Sequence, residues 1–134
     1  MTAVFDTNVF VSALLFGGRP REALEKAVDG TVRLFISRAM VTELYNTLSR
    51  PKFKLTQEQV AIFIEEVEAL CGPVFPVEKV VQACRDRKDH IVLECALESR
   101  CNMIVTGDGD LLVLKNFRGI PVLNIAEFLD QLAK

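Results

Sequence analysis

Five carboxylates stand where they could act together. Asp6 is the sole charge in the apolar opening run "AVFDTNVFVSALLF", residues 3–16. A carboxylate beside a buried strand needs a cation or several hydrogen-bond donors. Asp108 follows the apolar "NMIV" in the same manner, inside "TGDGD", with Asp110 two residues further on. Glu43 lies near the middle of a helical pattern, on the flank of its apolar stripe and on a face shared with Met40 and Thr47. Asp89 stands at the start of another helical pattern, in "CRDRKDHIVLECA". Each has an ordinary use: a helix N-cap for Asp89, a tight turn for Asp108 and Asp110, a solvated helix face for Glu43. Together they point elsewhere, because converging carboxylates repel one another and persist where a cation neutralises them. Apart from His90 no histidine or cysteine shares the set, and oxygen-only ligands suit a hard ion such as Mg2+ or Mn2+.

The elements that must position these residues alternate along the chain. Residues 2–5, 32–36, 102–105 and 120–123 read as short buried strands, with a weaker strand around 74–80. Between them, residues 20–30 form an amphipathic helix opening on Pro20 and closing on Gly30. Ser37 caps a helix that Pro51 stops, and Thr56 with Gln59 forms a capping box for a helix ending at "CGP". Residues 90–100 read as helix, and Asn124 with Glu127 opens a final one. Alternation of this kind implies an α/β fold, a mostly parallel sheet with helices on both faces. In such a sheet ligands bind beyond the carboxyl ends of the strands, where Asp6 and Asp108 fall. No repeat, low-complexity tract or linker divides the chain, so a single domain over residues 1–134 is expected.

Half of the residues are hydrophobic, a quarter are charged, and the net charge is −2. That balance excludes a disordered chain and argues against general affinity for nucleic acid or anionic membranes, so phosphate binding must come from local basic clusters. Cys71, Cys84, Cys95 and Cys101 form no C-x-x-C pattern and read as free thiols of a reducing compartment. The longest uncharged run, Thr7 to Gly18, is too short to span a bilayer, and no basic segment precedes it. A cytoplasmic protein is expected.

The ordered series "VFDTNVFVSALL", "SRAMVTEL", "LSRPKFKL", "CRDRKDHIVLECAL" and "NMIVTGDGDLL" resembles the PIN-domain family over nearly the whole chain. The branch it looks most like is that of small bacterial and archaeal toxin components of toxin–antitoxin systems. The resemblance implies a three-layer α/β/α sandwich and a metal-dependent ribonuclease. It implies an acidic quartet at Asp6, Glu43, Asp89 and Asp108, with Asp110 as a further, weaker metal ligand. Thr7, Asn8 and Thr106 fall where the family has small polar residues supporting those ligands. Where relatives read "RDPKDN", this chain has Arg87 for the proline and His90 for the asparagine, and no quartet carboxylate is lost.

The implied chemistry is phosphodiester hydrolysis with one or two Mg2+ or Mn2+ ions, which activate water and neutralise charge on the transition state. Asp6, nearest the sheet, is expected to be the central ligand, and the products would carry 5′-phosphate and 3′-hydroxyl ends. Grip on RNA would come from Arg85, Arg87 and Lys88, beside Asp89. Arg50, Lys52 and Lys54, around Phe53, read more as a solvated loop than as an RNA contact. By the same resemblance the partners would be an antitoxin and a second copy of the chain in a homodimer, with no membrane. The alternative is a non-catalytic PIN-like RNA-binding or scaffolding domain, favoured by loss of a quartet carboxylate. A phosphoacceptor receiver needs an acidic pair after the first strand, a haloacid-dehalogenase-like phosphatase needs D-x-D-x-T, and a dinucleotide site needs G-x-G-x-x-G; "DTNVF" supplies none of them.

Overall fold

The structure is a computed structural model that describes residues 1–80 and 87–133. Among these residues it holds a six-stranded sheet and seven α-helices. The strands are β1 (Thr2–Phe5), β2 (Arg33–Ser37), β3 (Cys71–Val74), β4 (Met103–Val105), β5 (Asn116–Phe117) and β6 (Ile120–Leu123). The helices are α1 (Thr7–Leu15), α2 (Gly18–Val28), α3 (Arg38–Leu48), α4 (Gln57–Leu70), α5 (Arg87–Ser99), α6 (Gly109–Leu112) and α7 (Ile125–Leu132). The sheet order is β3-β2-β1-β4-β6-β5, parallel throughout except for the β5–β6 hairpin at one edge.

This is the α/β/α architecture expected. The chain steps from β1 to β2 to β3 in one direction and then returns across the sheet through α5 to β4. Right-handed crossovers in opposite directions place α5 on the face opposite the crossover helices before it, while α7, after the last strand, packs with α2. Both faces are therefore covered, and β1 and β4 are apolar without alternation: Ala3, Val4, Phe5, Met103, Ile104 and Val105 are all buried. Phe5 packs against Phe10 of α1 and edge-on against Phe128 of α7, with ring centroids 5.7 and 5.4 Å away. The three rings tie the first strand, first helix and last helix into one core.

Local signals explain most element ends. Thr56 with Gln59 and Asn124 with Glu127 each close a reciprocal capping box, and the Ser37 hydroxyl accepts the Met40 N–H. One expected strand is displaced: β3 covers Cys71–Val74, and Phe75–Val80 lies outside the ladder. Pro73 fits because β3 is an edge strand. Beyond it the backbone donors go elsewhere: Glu98 accepts the Val77 N–H at 3.1 Å and Glu94 accepts the Val80 N–H at 2.8 Å. The α1 helix has no amphipathic period to betray it, since Val9, Phe10, Val11 and Ala13 are all buried. No helix of the described residues is long and apolar enough to cross a membrane.

Candidate metal centre

β1 and β4 are neighbours, yet the chain leaves them toward opposite sides of the sheet. The loops after them therefore part and leave a crevice at the carboxyl edge. Asp6 follows β1 and is 6% exposed. Its backbone N–H extends the ladder to Val105 O at 2.9 Å, which fixes it beside the end of β4. It is also the N-cap of α1: Oδ1 accepts the Asn8 N–H at 3.3 Å and the Thr7 hydroxyl at 3.5 Å.

Thr106, fully buried at the end of β4, joins the two loops. Its hydroxyl donates to Asp6 Oδ2 at 2.8 Å and accepts the Asp108 N–H at 3.0 Å. Asp108 in turn caps α6, its Oδ1 accepting the Asp110 N–H at 2.8 Å. Burial pushes the Asp6 carboxyl above its ordinary pKa; the bonds from Thr106 and Asn8 pull the other way, and the nearby Asp108 charge raises it again.

Asp89 is the third residue of α5, inside the helix and 3% exposed, so it is not the preceding cap. The structure brings it to Asp108 and Asp110, with one carboxylate oxygen from each within 4.8 Å of the others. Asp6 and Glu43 do not join all three within that span. Asp6 stands beside Asp108 through Thr106, while Glu43, half-buried on α3, lines a cleft with Lys88 and Ile91 of α5. Asp108 is thus the residue common to both associations. Both Asp6 oxygens accept protein donors, in the α1 cap and from Thr106. Asp110, the weaker sequence candidate, lies inside the tightest group because the α6 turn folds it back over Asp108.

The donor set suits a hard divalent cation, being made of carboxylate oxygens alone, one from the first turn of α5 and two from the turn that opens α6. His90 is buried next to Asp89 in sequence but is not among the three. The described thiols do not compete: Cys71 and Cys95 are buried and pushed up to about 12, and Cys101 is raised by the same burial. Cys84 lies outside the described residues.

The basic candidates are scattered. Arg87 Nη1 lies 3.9 Å from Glu94 Oε2, Lys52 sits over the Phe53 ring at 5.1 Å, and Lys54 ends a short 3-10 turn with positive φ. Arg50 and Lys88 line the same cleft as Glu43. Arg85 lies outside the described residues. Sequence reasoning missed Glu94, a 5% exposed carboxylate amid the apolar stretch Val92–Ala96 of α5. A charge on a helical turn with no polar face was the available signal.

Residues 2–110 match the family model described as PIN domain. No curated protein matches the chain. Among solved structures, the fold is similar to VapBC2 from Rickettsia felis bound to a DNA fragment from their promoter, with TM-score 0.64, 15% identity, and coverage of 92% of this chain and 98% of that one. It is similar to PAE2754 from Pyrobaculum aerophilum, with TM-score 0.67, 15% identity, and coverage of 98% and 88%. VapBC-1 from nontypeable Haemophilus influenzae gives TM-score 0.61, 17% identity, and coverage of 94% and 99%. At these identities the likeness is one of fold.

Proposed function

The chain belongs to the PIN-domain family, and on that premise we propose that it is a Mg2+- or Mn2+-dependent endoribonuclease, the toxin of a toxin–antitoxin pair. The observation that carries this reading is the convergence of Asp89, Asp108 and Asp110 oxygens within 4.8 Å at the carboxyl edge of the sheet, beside the buried Asp6. Asp89, Asp108 and Asp110 would hold the ion, with Asp6 and Glu43 completing the acidic surroundings. When bound, the ion supplies Lewis-acid activation of water and charge neutralisation at the phosphoryl group.

The protein's own residues supply position. Thr106 ties the Asp6 carboxylate to the Asp108 backbone through one buried hydroxyl, and the Asp110 N–H holds the Asp108 carboxylate. The α6 turn holds Asp110 by Asp108, and the buried Asp89 comes from the first turn of α5. Such a rigid oxygen set costs little to reorganise when a phosphate arrives. We place the protein in the cytoplasm, with an antitoxin as its inhibitory partner and a homodimer as its assembly.

The test is cleavage of a panel of structured and single-stranded RNAs by the purified protein with Mg2+, with Mn2+ and with chelator. Metal-dependent internal cuts leaving 5′-phosphate ends, lost in Asp108→Asn, are expected. Cutting that persists in chelator or in Asp108→Asn would overturn the reading, as would intact RNA across the panel.

A further inference from the structure

Phe16 and Phe53 are distant in the chain, yet their rings meet edge to face with centroids 6.4 Å apart. Phe16 is the C-cap of α1, and Phe53 closes the short 3-10 turn Pro51–Phe53 that follows α3, a helix packed against α1. Phe16 is nevertheless 73% exposed, so most of its ring stands in solvent. The backbone fixes both rings: Gly17 and Gly18 turn the chain with positive φ directly after Phe16, and Lys54 does so directly after Phe53. Glycine adopts that conformation freely, whereas a lysine there is uncommon.

The charges around the rings are of one sign. The segments "FGGRPR", residues 16–21, and "RPKFK", residues 50–54, carry Arg19, Arg21, Arg50, Lys52 and Lys54 and no carboxylate, in a chain of net charge −2. Arg21 pairs with Glu25 at 3.8 Å, and Lys52 sits over the Phe53 ring at 5.1 Å while its residue stays exposed. Arg19 and Lys54 are exposed as well. A lone exposed phenylalanine is ordinary. Two basic segments, distant in sequence and joined through one exposed ring, form a surface. It stands apart from the carboxylates, because α1 has Asp6 at its start and Phe16 at its end, and its nine residues span about 14 Å.

We infer that this surface is an accessory site for single-stranded RNA, in which a base stacks on Phe16 and the flanking phosphates lie by Arg19, Lys52 and Lys54. The inference rests on the ribonuclease reading above and adds a second hold on the strand, away from the metal centre. An exposed ring among cations suits sequence-tolerant single-strand binding, since every base has a π-face and every linkage a negative charge. An apolar protein segment would cover the ring but leave the cations without counter-charges. A duplex would offer phosphates but keep its bases stacked within itself.

The chain has no tryptophan, so Phe16→Trp puts a sole reporter on the site. Phe75→Trp, at a 77% exposed position beyond β3, is the control. Titration with a mixed-sequence single-stranded RNA of about 12 nucleotides, in chelator so that nothing is cut, should quench the emission of Phe16→Trp and leave that of Phe75→Trp unchanged. In anisotropy with the same RNA, Phe16→Ala should weaken binding about tenfold. Arg19→Gln should weaken it several-fold and make the log–log salt slope shallower by about 0.7. Arg100→Gln, the same charge change just after α5, should do neither. Equal quenching in both tryptophan variants, or unchanged affinity in Phe16→Ala, would overturn the accessory site and leave the ribonuclease reading standing. Wild-type protein that binds no RNA at low salt would also overturn the site, and the cleavage panel above then decides the ribonuclease reading by itself. Thermal midpoints report the folding of each variant, and should Phe16→Ala fail to fold, the tryptophan pair and Arg19→Gln decide.

Discussion

The Thr106 hydroxyl donates to Asp6 Oδ2 at 2.8 Å, joining residues 100 positions apart at the ends of two neighbouring strands. The Thr106 oxygen also accepts the Asp108 N–H, so one buried atom ties the carboxylate after β1 to the backbone after β4. Thr106→Val keeps the shape and removes the hydroxyl. It should cost about 1–3 kcal/mol, because a buried acceptor and a donor lose their partner together. It should also raise the Asp6 pKa further, since this bond is one of those holding it down. Chemical denaturation of Thr106→Val, Asp6→Asn and the double variant forms a cycle that checks the link. A coupling energy indistinguishable from zero would show that the bond contributes nothing.

Asp6 itself carries a stability cost that depends on pH. Its folded pKa is raised, chiefly by burial, so the protonated form is the one the fold favours. The contribution is full below the unfolded pKa, near pH 4, and is lost as pH rises through the folded value. At pH 7 in chelator, Asp6→Asn should therefore be as stable as wild type or more so, since asparagine caps a helix as well as aspartate does. The difference should shrink as pH is lowered toward 4. Thermal midpoints across that range decide it; a variant less stable at pH 7 by more than about 1 kcal/mol would mean that the bonds to Asn8 and Thr106 outweigh desolvation.

How much of this was legible beforehand depended on how local each cause was. Capping boxes at Thr56 and Asn124 and the apolar strands β1 and β4 are written in neighbouring letters, and the helices and strands they predict are there. Alternation implied a parallel sheet with Asp6 and Asp108 at its carboxyl edge, whereas the strand order that makes β1 and β4 neighbours rests on long-range pairing. What failed was non-local. β3 stops at Val74, and beyond it the Val77 and Val80 N–H groups go to Glu98 and Glu94, contacts between distant segments. α1 was hidden because every face of it is buried or half-buried after Asn8. Asp110 reaches Asp89 and Asp108 through a four-residue helix that no periodicity announces.

Metal addition should stabilise the fold in proportion to occupancy. With Mn2+ at 100 times its dissociation constant, the gain is about 2.7 kcal/mol. Asp89→Asn and Asp108→Asn should each abolish the saturable rise in melting temperature, because each removes one of three oxygens held within 4.8 Å. Asp110→Asn should weaken it, and Glu43→Gln should weaken it least if the ion sits with the three aspartates. A response that survives Asp108→Asn undiminished would place the ion elsewhere, and no response in wild type would remove the metal from the proposed chemistry.

Glu94 offers a prediction independent of any ion. It is a buried carboxylate on α5 whose Oε2 accepts the Val80 N–H at 2.8 Å and lies 3.9 Å from Arg87 Nη1. One turn on, Glu98 accepts the Val77 N–H, so two side chains of α5 strap the segment leaving β3 against the helix that presents Asp89. Glu94→Ala leaves a buried backbone donor without its acceptor and should cost about 2 kcal/mol. Glu94→Gln keeps an acceptor for Val80 and should recover much of that loss, whereas Glu98→Ala, at an exposed position, should cost less than about 1 kcal/mol. Amide hydrogen exchange gives the direct readout: protection at Val80 should fall in Glu94→Ala, return in Glu94→Gln, and be unaffected in Glu98→Ala. Unchanged protection at Val80 in Glu94→Ala would show that the strap does not hold this segment, and that β3 ends where it does for reasons internal to the strand.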